Sequence, residues 1–310
     1  MIKRDLPDGT PISVIGVGAF AMGGWMWGTQ QDDDSRAALH AALDAGVTWI
    51  DTAPIYGDGR ADALVAEVLT LRQDRPLVFH KCGHRLVDGQ RVTDGSRERI
   101  IADCEQQLRA FGVDCLDLLQ LHWPAPQPIA ETAGAFAELK RAGKIRRVGV
   151  SNFSRDQLAA WTAAGGPLDT VQNKYSLLDP QAEADVLPWC AEHAVGFLAY
   201  SPLARGLLTG TWDDTKVFPP GDHRGDRPEY GPERRRQLAP LLAELARIAE
   251  EEDVPVAAVA IGALLCTEGL TGVIVGARTA EQGSLLGDYA FPLRQRDLDT
   301  LATALAACGG

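Results

Sequence analysis

Short apolar segments of this chain end in residues that could take part in acid–base or hydrogen-bonding chemistry. The segment-ending residues are Asp51, Lys81, His122, Ser151, Gln172, Tyr200 and Gly276. Each polar one, taken alone, could simply cap a loop, bind a backbone carbonyl or reach solvent. Polar groups beside buried apolar segments lose hydration unless they find partners. We therefore expect the set to converge on one polar site.

A tyrosine follows the first of these residues closely, in the segment Asp51-Thr-Ala-Pro-Ile-Tyr56-Gly57. Tyrosine has a pKa of about 10 and is a weak acid at neutral pH, but a neighbouring ammonium stabilises its phenolate and lowers that pKa. Lys81, held by Asp51, could supply this charge. Neutral His122 could then donate a hydrogen bond to a substrate oxygen. The set predicts a tuned proton donor beside an oxygen-binding group.

Apolar runs alternate along the chain with segments of helical periodicity. The runs are 14–18, 48–51, 77–81, 116–122, 145–151, 170–173, 196–201 and 272–276. The helical segments are 35–45, 62–71, 96–111, 129–142, 154–164, 182–193, 235–252 with 256–265, 279–288 and a terminal 294–307. Gly46, Gly112 and Gly143 stand where C-caps of helices are expected.

The alternation predicts an α/β fold, a (β/α)8 TIM barrel. The runs are continuously apolar, which is typical of parallel strands covered by helices, and eight units favour a closed barrel. Residues 2–12, around Asp8-Gly9, predict a hairpin that plugs one barrel mouth, and the terminal segment predicts an extra helix. We expect one domain over residues 1–310, with its site at the carboxyl ends of the strands.

Several separated motifs resemble the aldo-keto reductase superfamily over most of the chain. They are Asp51-Thr-Ala-x-x-Tyr56-Gly57, Lys81, Leu121-His122-Trp123, Gly143-Lys-Ile-Arg-x-x-Gly149-Val-Ser151-Asn152-Phe153, Tyr200-Ser201-Pro202-Leu203 and Gly276-Ala-Arg278. The resemblance implies NAD(P)H-dependent reduction of an aldehyde or ketone. It also implies that Tyr56 is the general acid, that Lys81 and Asp51 lower its pKa, and that His122 orients the carbonyl.

The resemblance also implies a cofactor site, in three parts. The nicotinamide end would be held by Ser151, Asn152, Gln172 and Tyr200, the pyrophosphate by Ser201, Leu203 and Gly206, and the adenosine end by Gly276, Arg278 and Gln282. The long segment 204–232 would clasp the cofactor. Arg278 suits a 2′-phosphate and favours NADPH, with NADH possible. Leu285-Leu286 departs from a Glu-Asn pair that many members carry, so adenine would meet apolar side chains there.

Aromatic residues in loops near the strand ends predict apolar pocket walls. These residues are Phe20, Trp25, Trp27 and Trp123. The chain ends soon after the terminal helix, so we expect an open pocket for small to medium carbonyl compounds.

Three other patterns suggest functions that we consider weaker. Gly16-Val-Gly18-Ala-Phe-Ala21 matches a dinucleotide-binding fingerprint, but the following residues contain further glycines and do not predict the helix which that fingerprint requires. We expect these glycines to let the first loop approach substrate. His80, Cys82 and His84 have metal-ligand types at strand spacing but lack a fourth ligand, so we expect no metal site. The arginine-rich segment 233–236 predicts a solvated helix start.

Composition narrows the classes of partner. The chain has 310 residues, 42 acidic and 30 basic, with a net charge of −12 and a pI near 5.0. Nucleic-acid binding needs clustered basic residues, and a membrane helix needs an apolar run of about 18 residues; neither pattern is present. The start has no secretory pattern, and the six cysteines are scattered. We expect a cytoplasmic protein with a small-molecule substrate.

Two alternatives remain beside reductase activity. The motifs also resemble the potassium-channel β-subunit branch, which suggests a cofactor-binding regulatory subunit with little turnover. A strand-end lysine in a barrel could instead form a Schiff base, as in a lyase. Pairing with Asp51 would keep Lys81 protonated, which argues against a nucleophilic amine.

Overall fold

The computed structural model describes residues 1–308, so the last two residues of the expected domain lie outside the described residues. The chain begins with an antiparallel hairpin of β1 (Lys3–Asp5) and β2 (Pro11–Ser13). Eight parallel strands then close into a barrel, which confirms the predicted fold. In hydrogen-bonded order they are β3 (Ile15–Gly18), β4 (Trp49–Asp51), β5 (Leu77–Cys82), β8 (Leu118–Leu121), β9 (Val148–Ser151), β10 (Thr170–Lys174), β11 (Gly196–Tyr200) and β12 (Leu270–Gly276), and β12 pairs with β3.

Helices cover the outside of the barrel. They are α1 (Asp32–Asp44), α2 (Arg60–Leu71), α3 (Arg97–Phe111), α4 (Ile129–Arg141), α5 (Arg155–Ala163), α6 (Val186–Glu192), α7 (Pro232–Gln237), α8 (Ala239–Glu252), α9 (Val256–Leu265), α10 (Ala280–Leu285) and α11 (Gln295–Ala307). The glycines after α1, α3 and α4 have φ values of 94°, 61° and 73°, as their predicted capping role requires. The terminal helix α11 packs its Leu301 with Leu241 and Leu245 of α8.

Two predicted helices are divided in the structure. Residues 182–193 form a short 3-10 turn and then α6, because Asp185, at φ −147°, breaks the helix and caps it anew through Val186 N–H. Residues 235–252 form α7 and α8, separated at Leu238. Pro240 opens α8, where proline fits because its missing N–H would have no helical partner.

A second hairpin was not predicted. It consists of β6 (His84–Val87) and β7 (Gln90–Thr93) and follows β5 almost directly. Its turn is Asp88-Gly89, with φ values of 51° and 75°. Asp-Gly in left-handed conformations is a strong two-residue turn signal, so the sequence did contain the information.

The interior of the barrel is filled by stacked rings and aliphatic side chains. Trp49 and Phe79 stack at 4.7 Å between ring centres, and Leu6 and Ile12 of the first hairpin pack into the same cluster. This confirms that the hairpin plugs one mouth. Gly16 is needed inside the barrel because a Cβ there would come within 2.3 Å of the Trp49 ring. Its predicted role in a substrate loop is therefore wrong: the glycine makes room for core packing.

None of the helices formed by residues 1–308 combines the length and apolar content needed to cross a membrane.

Candidate active site

A cavity of about 650 Å³ opens at the carboxyl ends of the barrel strands. Every predicted site residue except Lys81 lines it. These lining residues are Phe20, Trp25, Trp27, Asp51, Tyr56, His122, Trp123, Ser151, Asn152, Gln172, Tyr200, Ser201, Leu203, Gly206, Gly276, Arg278 and Gln282. The structure thus brings together residues from seven of the eight barrel strands or the loops that follow them.

Lys81 and Asp51 form a buried ion pair beneath this cavity. The Lys81 ammonium donates to Asp51 Oδ1, and both side chains are almost fully buried, at 1% and 4% exposure. Gln172 Nε2 donates to Asp51 Oδ2 at 2.7 Å and to Gln120 Oε1 at 3.1 Å. Burial lowers the pKa of Lys81, and the Asp51 charge opposes that shift. Both oxygens of the carboxylate are therefore occupied by fixed partners.

Tyr56 lies beside this ion pair and lines the cavity. The Lys81 nitrogen is 5.3 Å from the centre of the Tyr56 ring. Burial raises the pKa of the Tyr56 hydroxyl well above 10, and the negative charge of Asp51 adds to the rise. The resting hydroxyl therefore has a raised pKa rather than the lowered one expected, because burial outweighs the stabilisation that Lys81 gives the phenolate. The hydroxyl consequently holds its proton firmly at neutral pH.

His122 faces Tyr56 across the floor of the cavity, with 5.8 Å between ring centres. Its backbone is fixed on both sides, because its N–H donates to the Cys82 carbonyl and its own carbonyl accepts from Asn152 Nδ2. Burial lowers the pKa of His122 well below 6.5, and the Lys81 charge contributes. The imidazole is thus neutral at physiological pH, as predicted, and one ring nitrogen can donate to a substrate oxygen.

The predicted apolar walls surround this floor. Phe20 lies 4.9 Å from Tyr56, 6.4 Å from Trp25 and 5.8 Å from Trp27, measured between ring centres. Trp123 is 41% exposed and lines the outer part of the cavity. These rings form a hydrophobic pocket next to the proton donor.

A chain of hydrogen bonds organises the residues predicted for the nicotinamide end. Tyr200 Oη donates to Asn152 Oδ1 at 2.7 Å, and Asn152 Nδ2 donates to Ser151 Oγ at 3.1 Å. Ser151 Oγ in turn donates to the Gln172 carbonyl at 2.8 Å. Asn152 has φ 64°, a left-handed conformation that asparagine tolerates. The network fixes these side chains along one wall.

The cavity carries strong positive charge within an acidic protein. Its charged lining consists of five arginines and one lysine against the single carboxylate of Asp51: Arg91, Arg205, Arg224, Arg227, Arg278 and Lys216. Arg278 is held by loop one, since its Nε donates to Gln30 Oε1 and its Nη2 to the Thr29 carbonyl, each at 2.7 Å. Gln282 accepts from the Arg278 backbone N–H at 2.8 Å. This donor set suits an anionic, phosphate-bearing ligand.

The long segment 204–232 crosses the mouth of the cavity and contacts the first loop. The His223 N–H donates to the Met26 carbonyl at 2.9 Å, and the Arg224 guanidinium lies 4.5 Å from the Trp27 ring. Arg235 of α7 fixes the segment, since its guanidinium donates to the Asp213 carbonyl and, at 3.1 Å, to the Lys216 carbonyl. Arg235 is 5% exposed, so the prediction of a solvated 233–236 stretch is wrong there.

The suspected metal pattern divides between two environments. His80 packs its ring 4.5 Å from Phe111 of α3, and burial lowers its pKa to about 3. His84 instead lines the cavity. Within residues 1–308 no group of three or more potential ligands is placed to hold a metal ion.

Besides the basic residues of segment 204–232, three residues near the site were not selected from the sequence as site residues. His84 and Arg91, on the β6–β7 hairpin, line the cavity; the Asp88-Gly89 turn was the available signal. Asp62, in the first turn of α2, is buried and accepts from Thr52 Oγ1 at 2.5 Å. An acidic residue at a helix start has a simpler explanation in the helix dipole, so its link to the site required the tertiary structure.

The fold and this constellation define a barrel enzyme with its active site at the carboxyl ends of the strands. The sequence profile of the Aldo/keto reductase family matches residues 14–306. The chain therefore belongs to the aldo/keto reductase family and is an oxidoreductase that acts on carbonyl groups.

Individual relatives agree with this membership. The chain is 31% identical to the NADH-specific methylglyoxal reductase of Escherichia coli (strain K12) over 301 residues, 90% of this chain and 91% of the relative. The glycerol dehydrogenase AKR11B4 from Gluconobacter oxydans superposes with a TM-score of 0.91 at 33% identity, over 98% of this chain and 95% of that one. An aldo/keto reductase from Klebsiella pneumoniae, solved with NADP and acetate, gives a TM-score of 0.75 at 25% identity, over 97% and 95%.

Proposed function

We propose that the protein reduces small aldehydes or ketones to alcohols with NADPH, and that Tyr56 is the proton donor. The observation that carries the proposal is the arrangement of Tyr56 in the cavity wall, beside the buried Lys81–Asp51 pair and opposite neutral His122. NADPH, when bound, supplies the hydride to the carbonyl carbon. The protein's own groups then have to orient the carbonyl and deliver one proton to its oxygen.

Each of these tasks falls to a particular side chain. His122 donates a hydrogen bond that orients the substrate oxygen, and it does so as a neutral imidazole. Tyr56 keeps its proton until negative charge develops on that oxygen, because burial and Asp51 oppose its ionisation. After transfer, the phenolate lies beside the Lys81 ammonium, which stabilises it. The aromatic walls exclude water from the reacting groups.

The cationic lining supports the choice of cofactor. Ser151, Asn152, Gln172 and Tyr200 would hold the nicotinamide end, and backbone groups of Ser201, Leu203 and Gly206 would face the pyrophosphate under segment 204–232. Gly276, Arg278 and Gln282 would receive the adenosine end. Within residues 1–308 no carboxylate pairs with Arg278, so its charge is available for a 2′-phosphate. The NADP bound by the Klebsiella relative supports NADPH, and the name of the Escherichia coli relative keeps NADH possible.

The burial of Lys81 disfavours the Schiff-base alternative. Its side chain is 1% exposed, donates to Asp51 and lies behind the Tyr56 ring rather than in the cavity wall. A substrate carbonyl in the cavity would meet Tyr56 first.

The decisive experiment is Tyr56→Phe, measured by NADPH oxidation with an aldehyde panel and by NADPH titration. We expect kcat to fall about 100-fold to 10,000-fold, the usual contribution of a general acid, with NADPH affinity preserved. Tyr175→Phe is the matched control, since Tyr175 is buried against Glu183 and Thr267 away from the cavity. Near-normal turnover in Tyr56→Phe would contradict the assignment. Tight NADPH binding by the unaltered protein without any turnover would indicate the regulatory-subunit alternative.

We also propose a cytoplasmic location and a single domain. All six cysteines are unpaired, which suits a reducing compartment. The barrel, its helices and the segment 204–232 pack into contiguous hydrophobic clusters, which supports one domain.

A further inference from the structure

The hairpin of β6 and β7 brings two nitrogen-bearing side chains to the substrate end of the cavity. His84 and Arg91 both line the same cavity as Tyr56 and His122. The hairpin follows β5, which lies four strands away from β11 in the ring of eight. The loops after β5 and β11 therefore stand on opposite sides of the mouth. Segment 204–232, with most of the cationic lining, follows β11, so Arg91 stands apart from that set.

The Arg91 guanidinium carries a permanent positive charge, and no carboxylate among residues 1–308 pairs with it. Its guanidinium carbon lies 5.6 Å from the centre of the Trp25 ring, a cation–π arrangement. Among residues 1–308 it takes part in no ion pair, whereas many other surface arginines of the chain are paired with carboxylates. Stacking on a ring leaves the edge of a guanidinium free, and that edge matches the two oxygens of a carboxylate or phosphate.

His84 adds a polar group between Arg91 and the reacting centre. Its ring centre is 5.3 Å from that of His122, and its Nδ1 lies 3.0 Å from Thr93 Oγ1. Its Nε2 is buried and has no hydrogen-bond partner among the described residues. A buried polar atom without a partner costs stability, so such an atom in a cavity wall points to a ligand group.

The pKa shifts of the two imidazoles have common causes. Burial lowers the pKa of His84 and of His122, and the Arg91 charge contributes to both shifts. Both rings are therefore neutral at physiological pH, and Arg91 is the charged group that acts on both from the hairpin side. A substrate bound at His122 would extend along His84 toward this charge.

We propose that Arg91 and His84 form a second substrate subsite, which binds an oxyanion carried by the aldehyde or ketone a short carbon chain away from its carbonyl. The inference rests on the proposed reductase function, since it deepens the substrate class of the same site. A carboxylate and a phosphate ester share the required chemistry. The subsite selects carbonyl compounds bearing either group over uncharged compounds of similar size.

The first test compares matched substrates with and without the charge. The pairs are succinate semialdehyde with butanal for the carboxylate, and glyceraldehyde 3-phosphate with glyceraldehyde for the phosphate. In Arg91→Gln we expect kcat/KM for the charged member of at least one pair to fall about tenfold or more, mainly through KM, because a hydrogen bond to a charged group is lost. The uncharged members should change by less than about twofold. The pair that responds identifies the anion.

Arg85→Gln is the matched control, because Arg85 lies on the same hairpin, is exposed and does not line the cavity. It should leave all four substrates unchanged, while Arg91→Lys should retain part of the preference. Equal effects of Arg91→Gln on charged and uncharged substrates, or no effect, would overturn the proposal. Failure of the unaltered protein to reduce any of the four aldehydes would instead contradict the proposed function.

A binding measurement tests the subsite independently of turnover. Succinate and inorganic phosphate are titrated calorimetrically into protein saturated with NADP⁺, so that the cofactor's phosphates occupy the other cationic groups. We expect one of these anions to bind, and Arg91→Gln to weaken its binding about tenfold. Affinity that does not depend on Arg91, or no binding by either anion, would overturn the proposal.

Discussion

The side-chain amide of Gln172 donates a 2.7 Å hydrogen bond to the Asp51 carboxylate, on the oxygen that Lys81 leaves free. The sequence motifs assign Gln172 to cofactor binding, and this hydrogen bond connects it to the Lys81–Asp51 ion pair beside the proton donor. The Gln172 side chain comes from β10 and Asp51 from β4, on opposite sides of the barrel. The bond spans the barrel interior and joins the two parts of the proposed site.

Substitutions in the Lys81–Asp51 pair should distinguish its contribution to stability from its contribution to catalysis. In Lys81→Met the buried Asp51 charge loses its counter-ion, and we expect the free energy of unfolding to fall by about 3–5 kcal/mol. Turnover should fall about 100-fold or more, since the phenolate of Tyr56 loses its neighbouring charge. Urea denaturation and NADPH oxidation measure the two effects. The double variant Lys81→Met with Asp51→Asn should regain most of the stability but not the activity; recovery of activity would contradict the role of Lys81.

Arg278 should determine the preference for NADPH. Arg278→Gln removes the charge proposed to meet the 2′-phosphate, so we expect KM for NADPH to rise about tenfold or more. KM for NADH, which lacks that phosphate, should change little. Arg155→Gln, an exposed arginine outside the cavity, is the control. Equal changes in KM for NADPH and NADH would show that Arg278 does not recognise the 2′-phosphate.

Asp62 should make stability depend on pH. Burial raises the pKa of Asp62 from 3.8 to about 6. Between these values the folded protein holds a proton that the unfolded chain has released, so stability contributed by this group falls as pH rises from about 4 to 6. The difference amounts to about 3 kcal/mol at most. Asp62→Asn does not titrate, so unfolding free energies at pH 4 and pH 7 should show a flatter profile for this variant.

Asp58→Asn provides the control for that measurement, because Asp58 is exposed in the preceding loop and its φ of 54° is tolerated by asparagine. Its profile should follow that of the unaltered protein. If the unfolding free energies of Asp62→Asn and of the unaltered protein depend on pH with the same slope, the result would count against a raised pKa of Asp62.

Arg235 should hold segment 204–232 in place. In Arg235→Met the carbonyls of Asp213 and Lys216 lose their donor, at a local cost of about 1–3 kcal/mol. We expect faster proteolytic cleavage within the segment and weaker NADPH binding. Arg234→Met, at the partly exposed neighbouring position, should be cleaved at the normal rate. Unchanged cleavage in Arg235→Met would show that other contacts fix the segment.

Sequence periodicity was sufficient for the barrel, because each strand–helix unit carries its own local signals. The apolar run before Asp51, the capping serine Ser154 and the C-cap glycines act within a few residues, and the structure has all three features. Predicted helix boundaries were wrong where a single residue interrupted a helix despite the periodicity, as at Asp185. Gly16 was assigned to the wrong role because its partner, Trp49, is distant in the chain.

The sequence by itself determined the residue types that end the strands, and hence where the site had to lie. Only the tertiary structure decided their electrostatics. Lys81 was expected to lower the pKa of Tyr56, but burial raises that pKa and the Asp51 charge adds to the rise. The positive lining of the cavity likewise became visible only in the fold, since arginines far apart in an acidic sequence share one cavity. Local sequence patterns determine the strands and helices. The pKa values and the ligand preference depend on distances between residues far apart in the chain, which only the folded barrel sets.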